Sequence, residues 1–379
     1  MNFELTEEQI AVRDAARDFA QNVLKPGVIA RDNEQRFPAE EIKQLGELGF
    51  MGMMVSPEYG GSGMDTMSYV LAIEEISKVD ASTSVCMSVN NSLVCWGMEK
   101  FCTDEQKQKF LVPLASGKKI GAFCLSEPEA GSDATSQRTT AIDMGDHYLL
   151  NGTKNWITNG SSASTYIVIA QTNVDAKHKG INAFIVERGM EGFIVGAKED
   201  KMGIRGSDTH TLLFNDVKVP KENRIGDDGF GFKFAMKTLA GGRIGIAAQA
   251  LGIASGAYEL ALEYSKQRSA FGKVISQHQA IQFKLADMAT EIEAARLLVF
   301  KSASDKDNHL DYTTSGAMAK LYASKVAMEV TVEAVQVHGG YGFVKEYHVE
   351  RLMRDAKITQ IYEGTSEVQK IVIARSILS

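Results

Sequence analysis

Two changes of hydrophobic period along the chain limit its possible folds more than any other feature. Up to about residue 118, apolar residues recur at helical spacing. Tyr166-Ile167-Val168-Ile169-Ala170, Ala183-Phe184-Ile185-Val186 and Thr211-Leu212-Leu213-Phe214 then form short β-rich runs bounded by Gly, Asn and Asp. Two of these runs are continuously apolar, as in a strand buried on both faces. After Gly226-Asp227-Asp228-Gly229-Phe230-Gly231, a seam of flexible composition, helical spacing returns over 231–265 and 276–304. Helices of that length suit a four-helix bundle. The pattern predicts an α+β chain with an all-helical N-terminal domain (1–118), a compact, β-barrel-like middle domain (119–226) and a C-terminal four-helix bundle (227–379).

Local signals fill in the helical blocks. Thr6-x-x-Gln9 is a capping box, and Pro26 is expected to end the helix it starts. Phe37-Pro38 opens another helix, which Gly49 stops, and Asp80 and Thr103 are further helix starts. A net charge of −7 without a long basic run argues against nucleic acid as a partner. The four cysteines contain no C-x-x-C pair and read as buried reduced thiols, not as a disulfide framework or metal site. No signal peptide and no membrane-length apolar run are evident, so a cytoplasmic protein is expected, and a processed mitochondrial form would look the same.

Chemistry-bearing stretches stand out at four places. Near the C-terminus, 354–361 is helix-compatible, Glu363-Gly364 breaks it, and Thr365 or Ser366 can cap a second helix. At such a break glycine lets the backbone approach a ligand closely, so a carboxylate and an amide donor can face one small volume. That arrangement suits removal of a proton beside a carbonyl; the alternative is an ordinary interhelical turn with an exposed acid. Phe123-Cys124-Leu125-Ser126-Glu127-Pro128-Glu129-Ala130-Gly131-Ser132-Asp133 joins a strand to a turn offering amides and hydroxyls, or is a surface loop. Trp156-Ile157-Thr158-Asn159 offers a flat apolar face and a hydroxyl to an aromatic cofactor, or a core tryptophan. In Lys266-Gln267-Arg268-Ser269-Ala270-Phe271-Gly272-Lys273, Arg268 could meet a diphosphate or simply cap a helix. No G-x-G-x-x-G or P-loop is present, so a dinucleotide would need an unrelated architecture.

Arg354-Asp355-Ala356-Lys357 with Ile361-Tyr362-Glu363-Gly364-Thr365 resembles the C-terminal signature of the acyl-CoA dehydrogenases, and the 123–133 string resembles that family's first signature. The resemblance covers nearly the whole chain. It implies FAD as cofactor, with the flavin ring held by the backbone of Phe123 and Leu125 and the Ser126 hydroxyl. Trp156 would stack beside the ring, and Thr158 would bond near N5. Arg268, Phe271, Gln279, Gln336 and Gly340 would grip the rest of FAD, partly across a subunit boundary, which implies a homotetramer. Thr365 and Glu367 are assigned to the cofactor as well. Ser132, Arg243, Tyr362 and Gly364 are assigned to the substrate, and no metal is implied.

By the same likeness Glu363 takes the α-proton of a short-chain acyl-CoA and the β-hydride goes to flavin N5, giving the trans-2-enoyl-CoA. An electron-transferring flavoprotein would reoxidise the flavin. The strings 87–93 and 242–254 resemble the short-chain (butyryl) branch; a short branched-chain or medium-chain substrate is the runner-up. Ala240 stands where many relatives carry an aspartate near the pantetheine. Gly242 stands where a minority of the family places its base, so Glu363 is the acid available to the reaction. A carboxylate-bridged metal protein would need Glu-x-x-His pairs, which the sequence lacks, and a non-catalytic helical binding protein would need none of these motifs.

Overall fold

The structure, a computed structural model, describes residues 4–378. Thr6 and Gln9 cap each other reciprocally and start helix Glu7–Phe19. Pro26 does not end the helical path. A π turn at Ala20–Leu24 and a 3₁₀ turn at Lys25–Gly27 carry it into helix Val28–Glu34. The proline sits at the start of its short turn, where a missing N–H removes no helical bond. Helices Ala39–Glu47, Thr66–Val79 and Ala81–Ser88 follow, the last capped by Asp80, whose Oδ1 accepts the Ser82 and Thr83 amides at 3.0 and 3.1 Å. A π turn at Val89–Cys95 continues into helix Trp96–Phe101. It carries two buried asparagines. Asn91 Nδ2 donates to the Phe50 carbonyl at 2.8 Å, and Asn90 Oδ1 accepts the Gly121 amide at 2.9 Å. The first strand is thereby tied to the helical block.

Eight strands form one mixed sheet: β1 (Gly121–Cys124), β2 (Thr140–Asp143), β3 (His147–Thr158), β4 (Thr165–Gln171), β5 (Ile181–Glu187), β6 (Phe193–Lys198), β7 (Thr209–Pro220) and β8 (Arg224–Ile225). Their order is β6-β7-β3-β2-β4-β5-β8, and β1 lies parallel to β4. The continuously apolar runs fall in β4 and β5, and both faces of each are buried. Tyr166, Val168, Ala170, Phe184 and Val186 point into a core internal to the sheet. Ile167, Ile169, Ile181, Ala183 and Ile185 point into the helical core. Alternation across a strand sends successive residues to opposite faces, so each strand belongs to two cores.

The seam after β8 is tethered, unlike its flexible composition: Asn182 of β5 bonds the Gly229 amide at 2.9 Å and the Asp228 carboxylate at 2.8 Å. The 37-residue helix Gly231–Gln267 follows, then Gln279–Asp307, Thr313–His338, His348–Ala356 and Ser366–Leu378. By length and composition the first of these could cross a membrane, contrary to the expectation from sequence, but 83% of its apolar window is buried inside the protein. It is the core helix. Glycines let it lie close to Thr66–Val79: a Cβ on Gly252 would fall 2.3 Å from the Glu74 carbonyl and one on Gly256 2.3 Å from that of Lys78.

Candidate active site

Helix His348–Ala356 tightens into a 3₁₀ turn at Lys357–Gln360, and the chain breaks before helix Ser366–Leu378. Ion pairs fix this approach. Arg354 bonds Asp32 and Glu350, each at 2.7 Å. Arg351 pairs with Asp355 at 2.9 Å and donates to the Val79 carbonyl at 2.7 Å; Asp355 also accepts the Ile204 amide. The pair is buried, and burial pushes the Asp355 carboxyl up to about 6 against the pull of Arg351. Three separate parts of the chain therefore hold the helix that leads into the break.

In the break, Glu363 has φ 52° and Gly364 φ 93°. Hydrogen bonds lock this left-handed turn. Lys320 Nζ donates to the Gly364 carbonyl at 2.7 Å, and Gln369 Nε2 donates to the carbonyls of Gly364 and Glu363 at 2.8 and 3.2 Å. Thr365 Oγ1 accepts the Val368 amide and starts the next helix. Tyr362 hydroxyl donates to Gln249 of the long helix, whose amide in turn bonds the Ala81 carbonyl and Ser84. Glu363 is no exposed acid: its Oε2 is buried and has no hydrogen-bond partner among the described residues. Burial pushes the carboxyl up to about 7, while Lys320 and Arg243 pull it down. A Cβ on Gly242 would fall 2.1 Å from Glu363 Oε2 and 2.7 Å from Leu93 Cδ2, so Gly242 lies directly against the carboxylate.

Arg243, the next residue, is buried with a partnerless Nε; burial lowers its pKa and Glu363 raises it. With Trp96, Lys100, Lys233, Lys237 and Ala240 it lines a cavity of about 650 Å³. Thr365 and Glu367 line another, of about 520 Å³, with Lys325, Lys357 and Lys370.

A second cluster forms at the sheet. The Ser126 carbonyl accepts the Asn155 amide at 2.9 Å, so the end of the first signature runs beside the segment carrying Trp156 and Thr158. The β3–β7 register shifts between Lys154 and Ile157, Trp156 has φ 62°, and its side chain is 59% exposed. The bulge turns the indole out of the core. Beneath it, buried Lys154 bonds the Leu125 carbonyl at 3.0 Å and Glu127 at 2.7 Å, while Glu127 accepts the Arg138 and Thr139 amides. Phe123 packs into the helical core against Phe234 while its backbone pairs with β4, and Ser132 is exposed in the following loop.

The third cluster stands apart. Ser269–Ala270 and Lys273–Val274 form a short hairpin with Phe271 and Gly272 at its tip, both at positive φ. Phe271 is 96% exposed. Arg268, which ends the long helix, stands 5.5 Å from the Tyr341 ring and makes no ion pair among the described residues. Gln279 and Gln336 are exposed, and a Cβ on Gly340 would meet only open space.

Reading the sequence missed Lys320, Gln369, Gln249 and Lys154. One signal was available for Lys320: residues 316, 317, 320, 323, 324 and 327 share a helix face, on which this lysine is surrounded by glycine, alanine and serine.

Known proteins align with the chain from end to end. It is 53% identical over 377 residues to the short-chain-specific acyl-CoA dehydrogenase of Clostridium acetobutylicum, covering 100% of both chains. Among solved structures, butyryl-CoA dehydrogenase from Megasphaera elsdenii matches with TM-score 0.99 and 52% identity over 100% of both chains. A chain solved in work on the electron transferring flavoprotein of Acidaminococcus fermentans matches with TM-score 0.99 and 53% identity, again over 100% of both. The models of the acyl-CoA dehydrogenase N-terminal, middle and C-terminal domains match residues 6–118, 122–217 and 229–378, and the chain belongs to the acyl-CoA dehydrogenase family.

Proposed function

We propose that this chain converts a short-chain acyl-CoA to its trans-2-enoyl-CoA, with Glu363 as the base. The observation that carries this reading is the buried, partnerless Glu363 Oε2 in a turn locked at positive φ. A carboxylate in water is far too weak a base for an α-proton. Burial raises its basicity, and a hydrogen bond from the Glu363 amide to the thioester oxygen would stabilise the enolate that forms. The lysines and Arg243 of the larger cavity suit the phosphates and polar arm of coenzyme A, and Ala240 contributes no carboxylate there.

The residues present fit FAD, the cofactor of the family. The exposed Trp156 face and the half-buried Ser126 and Thr158 suit the flavin ring, while Arg268, which makes no ion pair among the described residues, and the open glycines 339 and 340 suit its diphosphate arm. When bound, FAD supplies the acceptor for the hydride leaving the β-carbon. Phe271 lies almost wholly in solvent at the tip of the hairpin that follows Arg268, which favours a homo-oligomer, a tetramer by likeness, with the neighbouring subunit completing the cofactor site. The likeness also supports an electron-transferring flavoprotein as the electron acceptor; a cytoplasmic setting is proposed from the sequence, and the mitochondrial relatives fit a processed organellar form equally well.

The test is Glu363→Gln. Glutamine keeps the shape and cannot take the proton, so flavin bleaching by butyryl-CoA in a single turnover should fall roughly 10²–10⁴-fold, with fold and flavin content unchanged. A variant bleaching at the normal rate removes Glu363 from the chemistry.

A further inference from the structure

Lys320 is buried in the middle of helix Thr313–His338. Its ammonium donates to one carbonyl, that of Gly364, and no carboxylate lies within ion-pair distance of it among the described residues. A buried ammonium with so little compensation costs several kcal/mol in general, and an apolar residue of similar size would pack there more favourably. Stability alone therefore does not account for it. What distinguishes its place is the turn it touches.

We propose that Lys320 is a positioning residue for the base: its ammonium pins the Gly364 carbonyl, and with it the left-handed turn, and supplies a fixed positive charge facing the Glu363 carboxylate. The proposal rests on Glu363 being the base. Glu363 is surrounded by few charges. Lys320 comes from helix Thr313–His338, Arg243 from the long helix, and Tyr69 from Thr66–Val79; Tyr362 belongs to the turn itself, and Glu367 acts on Lys320 from the next helix. Both tyrosines are neutral phenols whose pKa is raised by burial. The cations are thus the two groups able to offset burial of the carboxylate. Arg243 also lines the larger cavity, whereas the Lys320 ammonium, among the described residues, bonds the turn alone. Burial pulls the Lys320 pKa down and pushes that of Glu363 up, and each charge favours the ionised form of the other. The lysine makes the carboxylate available at a pH where burial alone would keep it protonated.

Lys320→Met removes donor and charge; Lys320→Gln removes the charge and keeps a polar, shorter side chain. Flavin bleaching by butyryl-CoA is followed in a single turnover from pH 5.5 to 9.5, alongside KM and flavin content. Loss of an opposing charge raises a carboxyl's pKa, so the acid limb of the rate profile should move up by about one unit or more in both variants, with KM little changed. A limb that stays in place while the rate falls uniformly overturns the proposal and leaves Lys320 a structural lysine, as does failure of both variants to fold. If Glu363→Gln itself bleaches normally, the assignment of the base fails first, and that outcome is distinct from an unmoved limb in an enzyme that still depends on Glu363.

Discussion

Glu363 and Phe271 share a left-handed φ of 52°, one in the break between two helices and the other at a hairpin tip, yet their surroundings are opposite. Around Glu363 the chain supplies the support: Lys320 and Gln369 hold the turn, Gly242 lies against the carboxylate, and buried ion pairs fix the approaching helix. Around Phe271 it supplies a hairpin and little else, leaving the phenyl ring in solvent. A non-glycine residue at positive φ costs of order 1–3 kcal/mol and persists where the surroundings over-determine it. For Glu363 those surroundings lie within the chain. For Phe271 they lie outside it, in the proposed cofactor and neighbouring subunit. On the proposed reading, proton abstraction is built at the level of one chain, and cofactor retention at the level of the assembly.

The strongest way to probe the first half is to move the base. Glu363→Gly should reduce flavin bleaching roughly 10²–10⁴-fold. Gly242→Glu added to it should recover part of that loss, because Gly242 already abuts the carboxylate. Recovery is partial, since misplacement of about 1 Å costs about a hundredfold. Gly242→Glu alone should destabilise the protein by about 1–3 kcal/mol, because its Cβ would collide with Glu363 and with Leu93. A folded, flavin-loaded double variant no faster than Glu363→Gly would mean that a carboxylate at 242 does not reach the substrate's α-carbon.

Next in size is Arg351→Leu. It strands the buried Asp355 carboxylate on the helix that leads into Glu363, and should lower stability by about 3–5 kcal/mol. If this half is intrachain, the loss measured by denaturant unfolding should not vary with protein concentration. A loss that fades as concentration rises would assign the helix to an interface.

Arg268→Ala addresses the second half. Losing a charge-assisted hydrogen bond of about 1.5–3 kcal/mol should weaken FAD retention about ten- to a hundredfold, with assembly loosened as well. Flavin release on dilution and sedimentation measure both. Full flavin retention in an intact oligomer would remove Arg268 from the cofactor site and narrow the contrast between the two turns.

Much of this arrangement was legible in the amino-acid order. Alternating faces within continuous apolar runs marked β4 and β5, because a strand buried on both sides leaves no polar position. The break at Glu363-Gly364 was legible, but its residues alone left an exposed turn open, and it was the resemblance to the family that singled out the acid. Lys320 and Lys154 were not, since a lysine's burial is decided by what packs on its face from elsewhere in the chain. Pro26 misled for a related reason: proline forbids an α-helical bond but not the 3₁₀ turn that replaces it. The tip of the 269–274 hairpin was hidden because its two strands are only two residues each.

The double membership of β4 and β5 has a consequence for how the molecule comes apart. Sheet and helices are not two bodies joined by a linker; they share a partition whose two sides are both interior. Melting either core strips one side of the partition and exposes Ile167, Ile169 and Ile185, or Tyr166, Val168 and Phe184, to water. Neither part can open far without undermining the other, so cooperativity extends across what the hydrophobic period alone would divide into separate folding units.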